Sequence, residues 1–169
     1  MTPEDIGRTI RNWWAHEVAD RDSGAARGLS ARLRRRTGIE ILAEKPVQDL
    51  AAALHSRNAD RLIRLVRVLA ELRGTAQASL PRLLGQGDPK TISPARFQTL
   101  MRAEGDELTT ALIRAIRALG PADARACAVA ALARDLWLWD DQTRARWTFE
   151  YYAAPTPAAL QPDLQETPA

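Results

Sequence analysis

The residues best suited to chemistry in this sequence are its arginines. Of the 24 basic side chains, all but Lys45 and Lys90 are arginines, and the planar fork of a guanidinium matches the oxygens of a phosphate group. Arginines are densest from Arg27 to Arg36, where the run RGLSARLRRR contains no acidic residue. On a helix this run spreads positive charge over much of the circumference, and such neighbours repel each other in water. The run therefore favours an anionic partner.

A second group of arginines accompanies an apolar stripe. Arg57, Arg61 and Arg64 fall within about 60° of one another on a helix of 3.6 residues per turn, and Leu62, Leu65, Val66 and Leu69 cover the opposite side. This pattern predicts a basic face over a core, which Asp60 and Glu71 could partly neutralise. Further cations follow in the second half of the chain: Arg96, Arg102, Arg114, Arg117, Arg134, Arg144 and Arg146. We interpret Arg117 and Arg134 as surface residues only.

Other kinds of chemistry lack the necessary residues. One cysteine and two histidines are too few for a zinc site, and no glycine-rich phosphate loop, nucleophile elbow or pair of catalytic carboxylates occurs. Cys127 lies among small residues and has no assignable base, which predicts an inert thiol. We therefore expect no enzyme activity, no cofactor and no metal.

The elements that must position the arginines are helices. Ala and Leu total 52 residues against 13 for Val and Ile, and this composition favours helix. We predict an all-α fold, a compact helical bundle of about seven to nine helices. Thr2 and Ser23 are expected to cap the first two helices, and Gly38 to end the second. Further helices are predicted from Pro46, from Ala59 to Leu72, from Ser93 to Gly120 with a break at Gly105, from Asp123 to Leu136, and from Asp140 to Tyr152.

Prolines and glycines divide the chain. We predict a single helical domain over 1–154, with lobes at about 1–84 and 93–154 joined by a loop at 85–92. The end, 155–169, is rich in proline and poor in bulky apolar residues, which predicts a flexible tail. No apolar run is long enough to cross a membrane and the N-terminus is acidic, so we expect a cytoplasmic protein that does not contact a membrane.

The order of these segments resembles the CasB family, the small subunit of the type I-E CRISPR surveillance complex called Cascade. The resemblance rests on several segments in sequence: Trp13-Trp14, RGLSARLRR from Arg27, LIRLVRVLA from Leu62, Ser79-Leu80 with Leu83-Leu84-Gly85, SPARFQTLMRA from Ser93, the run 112–116, and LARDLWLWDDQTRARWTFEYY from Leu132. Pro81 departs from the glycine that the family has after Ser79-Leu80. This departure puts the geometry of that turn in doubt.

The resemblance implies a non-catalytic, all-helical subunit of an antiviral complex. Two copies would lie beside the crRNA and target DNA, contact the Cascade backbone and large subunits, and help to stabilise the R-loop and its displaced strand. Base pairing reads the sequence in such complexes, and protein supplies a positively charged path for the backbones. The expected nucleic-acid-binding residues are Arg27, Arg34, Arg35, Arg57, Arg64, Arg96, Arg102, Arg114 and Arg144. Second choices are Arg32, Arg36, Arg61 and Arg146.

Aromatic residues near the end of the chain have the spacing of a helical core rather than of a base-stacking platform. They are Trp137, Trp139, Trp147, Tyr151 and Tyr152. Two alternative functions stay open at this point. The first is a purely structural scaffold whose arginines bind acidic protein partners. The second is a helical DNA-binding regulator, in which the helices before and after Arg57 would form a helix-turn-helix.

Overall fold

The computed structural model describes residues 1–153, and helices dominate them, which confirms the all-α prediction. Ten α-helices, one 3-10 helix and one two-stranded sheet occur in this part of the chain. In order they are α1 (Pro3–Glu17), α2 (Gly24–Arg35), α3 (Ile39–Leu42), α4 (Lys45–Ala53), α5 (Ala59–Leu69), β1 (Gly74–Thr75), α6 (Leu80–Leu84), α7 (Pro94–Arg102), α8 (Gly105–Arg117), the 3-10 helix (Ala122–Ala124), β2 (Ala126–Cys127), α9 (Val129–Trp137) and α10 (Asp141–Tyr151).

Short polar side chains cap the helices where the sequence predicts it. Thr2 and Asp5 form a reciprocal capping box at α1, in which the Asp5 amide donates to the Thr2 hydroxyl at 3.1 Å. Ser23, Ser93 and Asp140 each accept a hydrogen bond from a backbone amide in the first turn of α2, α7 and α10. These bonds satisfy amides that a helix start otherwise leaves unpaired.

Two local predictions are wrong. Gly38 has a φ of +59° but precedes the short helix α3, which the sequence reasoning missed, and α2 ends in extended backbone at Arg36. The alanine-rich segment from Asp123 is not one helix. Near its start it forms β2, which pairs in parallel with β1, and only from Val129 is it the helix α9. The Arg73 amide donates to the Arg125 carbonyl at 2.8 Å. Tertiary pairing overrides helix propensity there.

The core is built around α5. Leu62, Leu65, Val66 and Leu69 are all buried, as predicted, and α5 packs against α8 and α9. Helix α1 crosses α9 closely at Gly7, where a Cβ atom would lie 2.5 Å from the Ala130 carbonyl oxygen. Only glycine permits this approach.

The end of α10 packs against the segment between α6 and α7. The Tyr151 hydroxyl donates to the Ile92 carbonyl at 2.6 Å, and the Tyr151 ring stacks on Phe97. Trp137, Trp147 and Tyr151 are buried, which confirms the core interpretation for them, whereas Tyr152 is 48% exposed and that assignment is wrong.

Buried residues from both predicted lobes belong to one hydrophobic cluster. The boundaries of the domain at 1–154 and of its lobes stay predictions. The predicted flexible tail, 155–169, lies outside the described residues. Within 1–153, no helix combines the length and the apolar character that a membrane crossing requires.

Candidate nucleic-acid interface

Four arginines from three parts of the chain surround one concave site, which we call the arginine pocket. Arg27 and Arg34 come from α2, Arg21 from the turn before it, and Arg73 from the segment that leads from α5 into β1. The cavity has a volume of about 190 Å³. The Arg27 Nη1 atom donates to the Arg21 carbonyl oxygen at 3.0 Å, which holds the turn against α2.

Positive charge in this pocket is only partly neutralised: the Arg21 Nη1 atom lies 3.1 Å from a carboxylate oxygen of Asp123. Burial lowers the pKa of the Arg34 guanidinium, and the neighbouring charge of Arg73 lowers it further. Within residues 1–153, Arg34 forms no ion pair, and the buried Nε atom of Arg73 has no hydrogen-bond partner. Asp20 is the one acidic residue that lines the cavity in the described part of the chain. An arginine stays protonated in proteins, so the pocket presents a concentrated positive field.

Ser30 adds a hydroxyl to the same pocket. Ser30 is only 3% exposed and lines the cavity. Its hydroxyl has no hydrogen-bond partner among residues 1–153. The pocket therefore offers guanidinium donors and one free hydroxyl to an anion that enters it.

The opposite side of α2 is internally paired. Arg32 donates to Glu44 from Nε at 2.6 Å and from Nη2 at 3.0 Å, and Arg36 reaches the same carboxylate at 3.2 Å. Hydrogen bonding from Arg32 holds the pKa of the Glu44 carboxyl below its usual range. Arg35 is exposed and has no ion pair among the described residues. The helix thus divides into one neutralised face and one face of unpaired arginines.

The arginines of α5 lie in a more mixed environment. Burial lowers the pKa of Arg64, and Arg61 and Arg144 lower it further although Asp60 opposes them. Arg61 lies over the Trp137 ring at 5.1 Å, and Arg144 lies over Trp139 at 5.7 Å.

Partners around these arginines differ from one position to the next. The Arg144 Nη1 atom is 3.1 Å from a carboxylate oxygen of Asp141. Arg57 is exposed before α5 and has no partner in 1–153.

Three predicted arginines flank the groove between α7 and α8. Arg96, Arg102 and Arg114 are all exposed, and none has an ion-pair partner within the described residues. Arg114 faces both ends of the groove, together with Arg96 at one end and Arg102 at the other. Asp106 and Glu107 line the Arg102 end, so that end is electrostatically mixed.

Three other arginines have structural partners. Arg117 lies at the surface, with a side chain that is 53% exposed, and it pairs there with the buried Glu71. Arg134 is not a surface residue, because its side chain is 16% exposed and contacts Asp135 at 2.9 Å. Arg146, a second-choice contact, is buried and pairs with the same Asp135 carboxylate.

Cys127 lies in β2 rather than on the predicted helix. It is fully buried, and burial raises the pKa of its thiol to about 12. Among residues 1–153, no group of three or more metal-ligating side chains occurs together.

Sequence reasoning missed Arg21, Arg73 and Ser30 as parts of the pocket. Ser30 carries a usable signal, because Arg27, Ser30 and Arg34 follow the i, i+3, i+7 spacing of one helix face. Arg21 and Arg73 reach the pocket only through tertiary packing, so no local pattern could have identified them.

Comparison with known proteins bears on the family of the chain. The family model of CRISPR-associated protein Cse2 matches residues 30–152. Neither a curated protein nor a solved structure matches the chain. The match begins inside α2, so Trp13-Trp14 and the first three residues of the basic run, 27–29, lie before it, while the rest of the run lies within it. It nevertheless covers most of the chain and confirms the predicted family: the chain belongs to the Cse2 (CasB) family, the small subunit of the type I-E CRISPR Cascade complex.

Proposed function

We propose that this Cascade subunit is non-catalytic and binds nucleic-acid backbone through arginines, so that it stabilises the R-loop between crRNA and target DNA and its displaced strand. The arginine pocket is the observation that carries the proposal. Arg27 and Arg34 from α2 meet Arg73 from the segment after α5 there, and Ser30 adds an unpaired hydroxyl.

A phosphate group in this pocket would turn repulsion into attraction. Burial and then the charge of Arg73 lower the pKa of Arg34 in the free protein, and an anion between the two arginines would offset the effect of Arg73. The pocket offers charge and simple donors but no aromatic stacking surface. Such contacts position a backbone without reading its sequence, as an RNA-guided complex requires.

Other arginines would extend the contact beyond the pocket. Arg35 and Arg57 are exposed and unpaired within 1–153, which suits a sequence-independent backbone contact. The remaining predicted contacts are less strongly supported, because each lies near acidic residues or in the separate groove between α7 and α8. They are Arg64, Arg96, Arg102, Arg114 and Arg144.

The test uses the assembled complex, with crRNA and its neighbouring subunits, carrying Arg27→Glu and Arg34→Glu in this chain. We expect retention of the opened target DNA to fall about tenfold, equivalent to about 1.4 kcal/mol. Each single-strand phosphate contact contributes about 0.7 to the slope of log affinity against log salt, so loss of the pocket should flatten that slope.

The matched control is Arg11→Glu together with Arg82→Glu, which makes the same charge change at exposed positions on α1 and α6. Complexes with these two substitutions should keep wild-type retention and salt slope. The proposal is wrong if the pocket variant and the control behave alike.

A scaffold function is the second candidate. Phe149 and Tyr152, one turn apart at the end of α10, are 36% and 48% exposed, and exposed aromatic residues are enriched at protein interfaces. If the pocket arginines bind acidic proteins instead of nucleic acid, Arg27→Glu with Arg34→Glu would reduce assembly of the subunit. The complexes that do assemble would then retain target DNA normally.

A helix-turn-helix regulator gains no support from the geometry. A recognition helix needs an exposed face for the major groove, whereas Asp60 is the one exposed residue of α5. Leu62, Leu65 and Val66 commit this helix to the core.

A further inference from the structure

A second cavity that contains arginines lies between α5, the start of α8 and the turn before α3, and we call it the α5–α8 cavity. Arg64 and Arg67 line it from α5, Asp106 lines it from α8, and Gly38 lines it from the turn. Its volume is about 640 Å³, which falls in the range of about 300 to 1,000 Å³ found for ligand pockets. The cavity therefore has room for a side chain of another molecule.

The two arginines of this cavity have donors without acceptors. They are three residues apart on α5 and so share one face of the helix. The Nε atom of each is buried and has no hydrogen-bond partner within the residues that the structure describes, and neither guanidinium forms an ion pair there. A buried donor without an acceptor is costly. Both arginines are thus suited to an acceptor that comes from outside the chain.

Other arginines of the protein show which acceptor fits such donors. Arg32 binds the Glu44 carboxylate side-on, through Nε and Nη2, and Arg117 binds its buried carboxylate partner in the same way. Arg64 and Arg67 have the same Nε and Nη2 edge. Each side chain is partly exposed, so this edge can turn toward a group that enters the cavity. The donors therefore fit a carboxylate or a phosphate oxygen pair.

The rim of the cavity favours a protein ligand over nucleic acid. Asp60 and Asp106 both line the cavity and are exposed, and neither has an ion-pair partner in 1–153. A nucleic-acid strand would carry several negative charges past these two carboxylates, and like charges repel. A protein segment can instead present one carboxylate to the arginines and basic side chains to the aspartates.

An exposed apolar side chain beside the cavity favours the same class of ligand. Ile39 directly follows Gly38 of the cavity wall and is 82% exposed, the highest value among the large apolar residues that the structure describes. Protein interfaces bury apolar side chains in their cores, whereas a phosphodiester backbone has no apolar group of this kind to cover an isoleucine. Charged and apolar features thus lie side by side here, as they do on a protein-binding surface.

We propose that the α5–α8 cavity is a docking site for a neighbouring protein subunit of the complex. An Asp or Glu side chain of that subunit binds between Arg64 and Arg67, basic side chains next to it pair with Asp60 and Asp106, and an apolar side chain covers Ile39. This contact removes Arg64 from the nucleic-acid surface predicted from the sequence. The inference goes beyond the proposed function and does not depend on the arginine pocket.

The test is zero-length cross-linking in the assembled complex, with crRNA and the neighbouring subunits. Arg67→Lys keeps the positive charge and introduces an amine at the cavity. A water-soluble carbodiimide condenses an amine with a carboxylate that touches it to an amide, and takes up the released water to become a urea. The background is low, because the chain has only two lysines of its own, Lys45 and Lys90, and neither lines the cavity.

Mass spectrometry should find the introduced amine joined to an Asp or Glu residue of another subunit. The control is Arg82→Lys, at an exposed position on α6 that does not line the cavity, and its amine should form at least about fivefold less of the same product. Absence of a bond to another subunit would overturn the proposal, and so would bonds only to Asp60 or Asp106 of the same chain.

A second variant measures how much the contact contributes to assembly. Arg67→Gln should increase the loss of this subunit from the complex during a salt wash at least about threefold relative to Arg82→Gln. The free Arg67→Gln protein should bind single-stranded DNA as well as the free Arg82→Gln protein does. Equal retention of the two variants would contradict protein docking, and weaker DNA binding by Arg67→Gln alone would assign the cavity to nucleic acid instead. Neither result bears on Arg27 and Arg34, so failure here is distinguishable from failure of the proposed function.

Discussion

The Glu71 carboxylate accepts two hydrogen bonds from the Arg117 guanidinium, at 3.1 Å from Nε and 2.7 Å from Nη2, although Glu71 is only 2% exposed. Arg125 approaches the same carboxylate at 3.4 Å. These bonds connect the end of α5 to the end of α8 and to the residue before β2. Because Arg117 and Arg125 already neutralise Glu71, this acid leaves most of the charge of the nearby Arg34 uncompensated.

Glu71→Gln should lower the free energy of unfolding by about 2 to 3 kcal/mol, because removal of one partner of a buried ion pair leaves the other charges without compensation. Urea denaturation measures the change. Glu107→Gln, at an exposed position on α8, is the control and should shift stability by less than about 0.5 kcal/mol. Equal effects of the two substitutions would show that the buried pair contributes nothing.

Local sequence signals predicted much of the helical framework. The caps at Thr2, Ser23, Ser93 and Asp140 act within one helical turn, so their residue types suffice to locate the helix starts. The apolar stripe of α5 likewise predicted which side is buried. Both signals depend on neighbours close in sequence, and such neighbours stay together in the fold.

Long-range partners could not be predicted in this way. The alanines before Cys127 favour a helix locally, but pairing with β1 places them in an extended segment. Arg117 and Arg134 have the same local signature as solvated arginines, yet their carboxylate partners convert them to structural residues. The arginine pocket needs Arg73 beside Arg34, which are separated by α3, α4 and α5 in sequence. Charge density alone therefore pointed to α2 but not to Arg21 and Arg73, which complete the pocket.

Asp135 is expected to be a second buried electrostatic anchor. It is 5% exposed and accepts hydrogen bonds from the Trp147 indole at 2.7 Å, from Arg134 at 2.9 Å and from Arg146. Asp135→Ala should cost about 3 to 5 kcal/mol, because two guanidiniums lose their buried counter-charge. Thermal unfolding followed by Trp fluorescence measures this loss. Asp141→Ala, whose side chain is fully exposed, should cost far less, and similar costs at both positions would argue against a buried network.

The Cys127 thiol should be unreactive in the folded protein. Full burial denies reagents access, and a pKa of about 12 leaves almost no thiolate at neutral pH. A chromogenic disulfide reagent should label Cys127 only after denaturant unfolds the chain. Rapid labelling of the native protein at pH 8, at a rate near that of the unfolded chain, would contradict the burial of β2.

The ion pair between Glu44 and Arg32 should make stability depend on pH in a defined direction. Hydrogen bonding from Arg32 lowers the pKa of Glu44 in the folded state. Its stabilising contribution is therefore complete above the pKa of the unfolded chain, about 4.3, and is lost as the pH falls through the lower pKa of the folded state. Glu44→Gln should reduce the free energy of unfolding by about 1 kcal/mol at pH 7, and the difference from wild type should shrink below about pH 4. Urea denaturation across this pH range provides the measurement, with Glu40→Gln at an exposed position as control. A difference that stays constant down to pH 3 would show that the charge of Glu44 is not the source of its contribution.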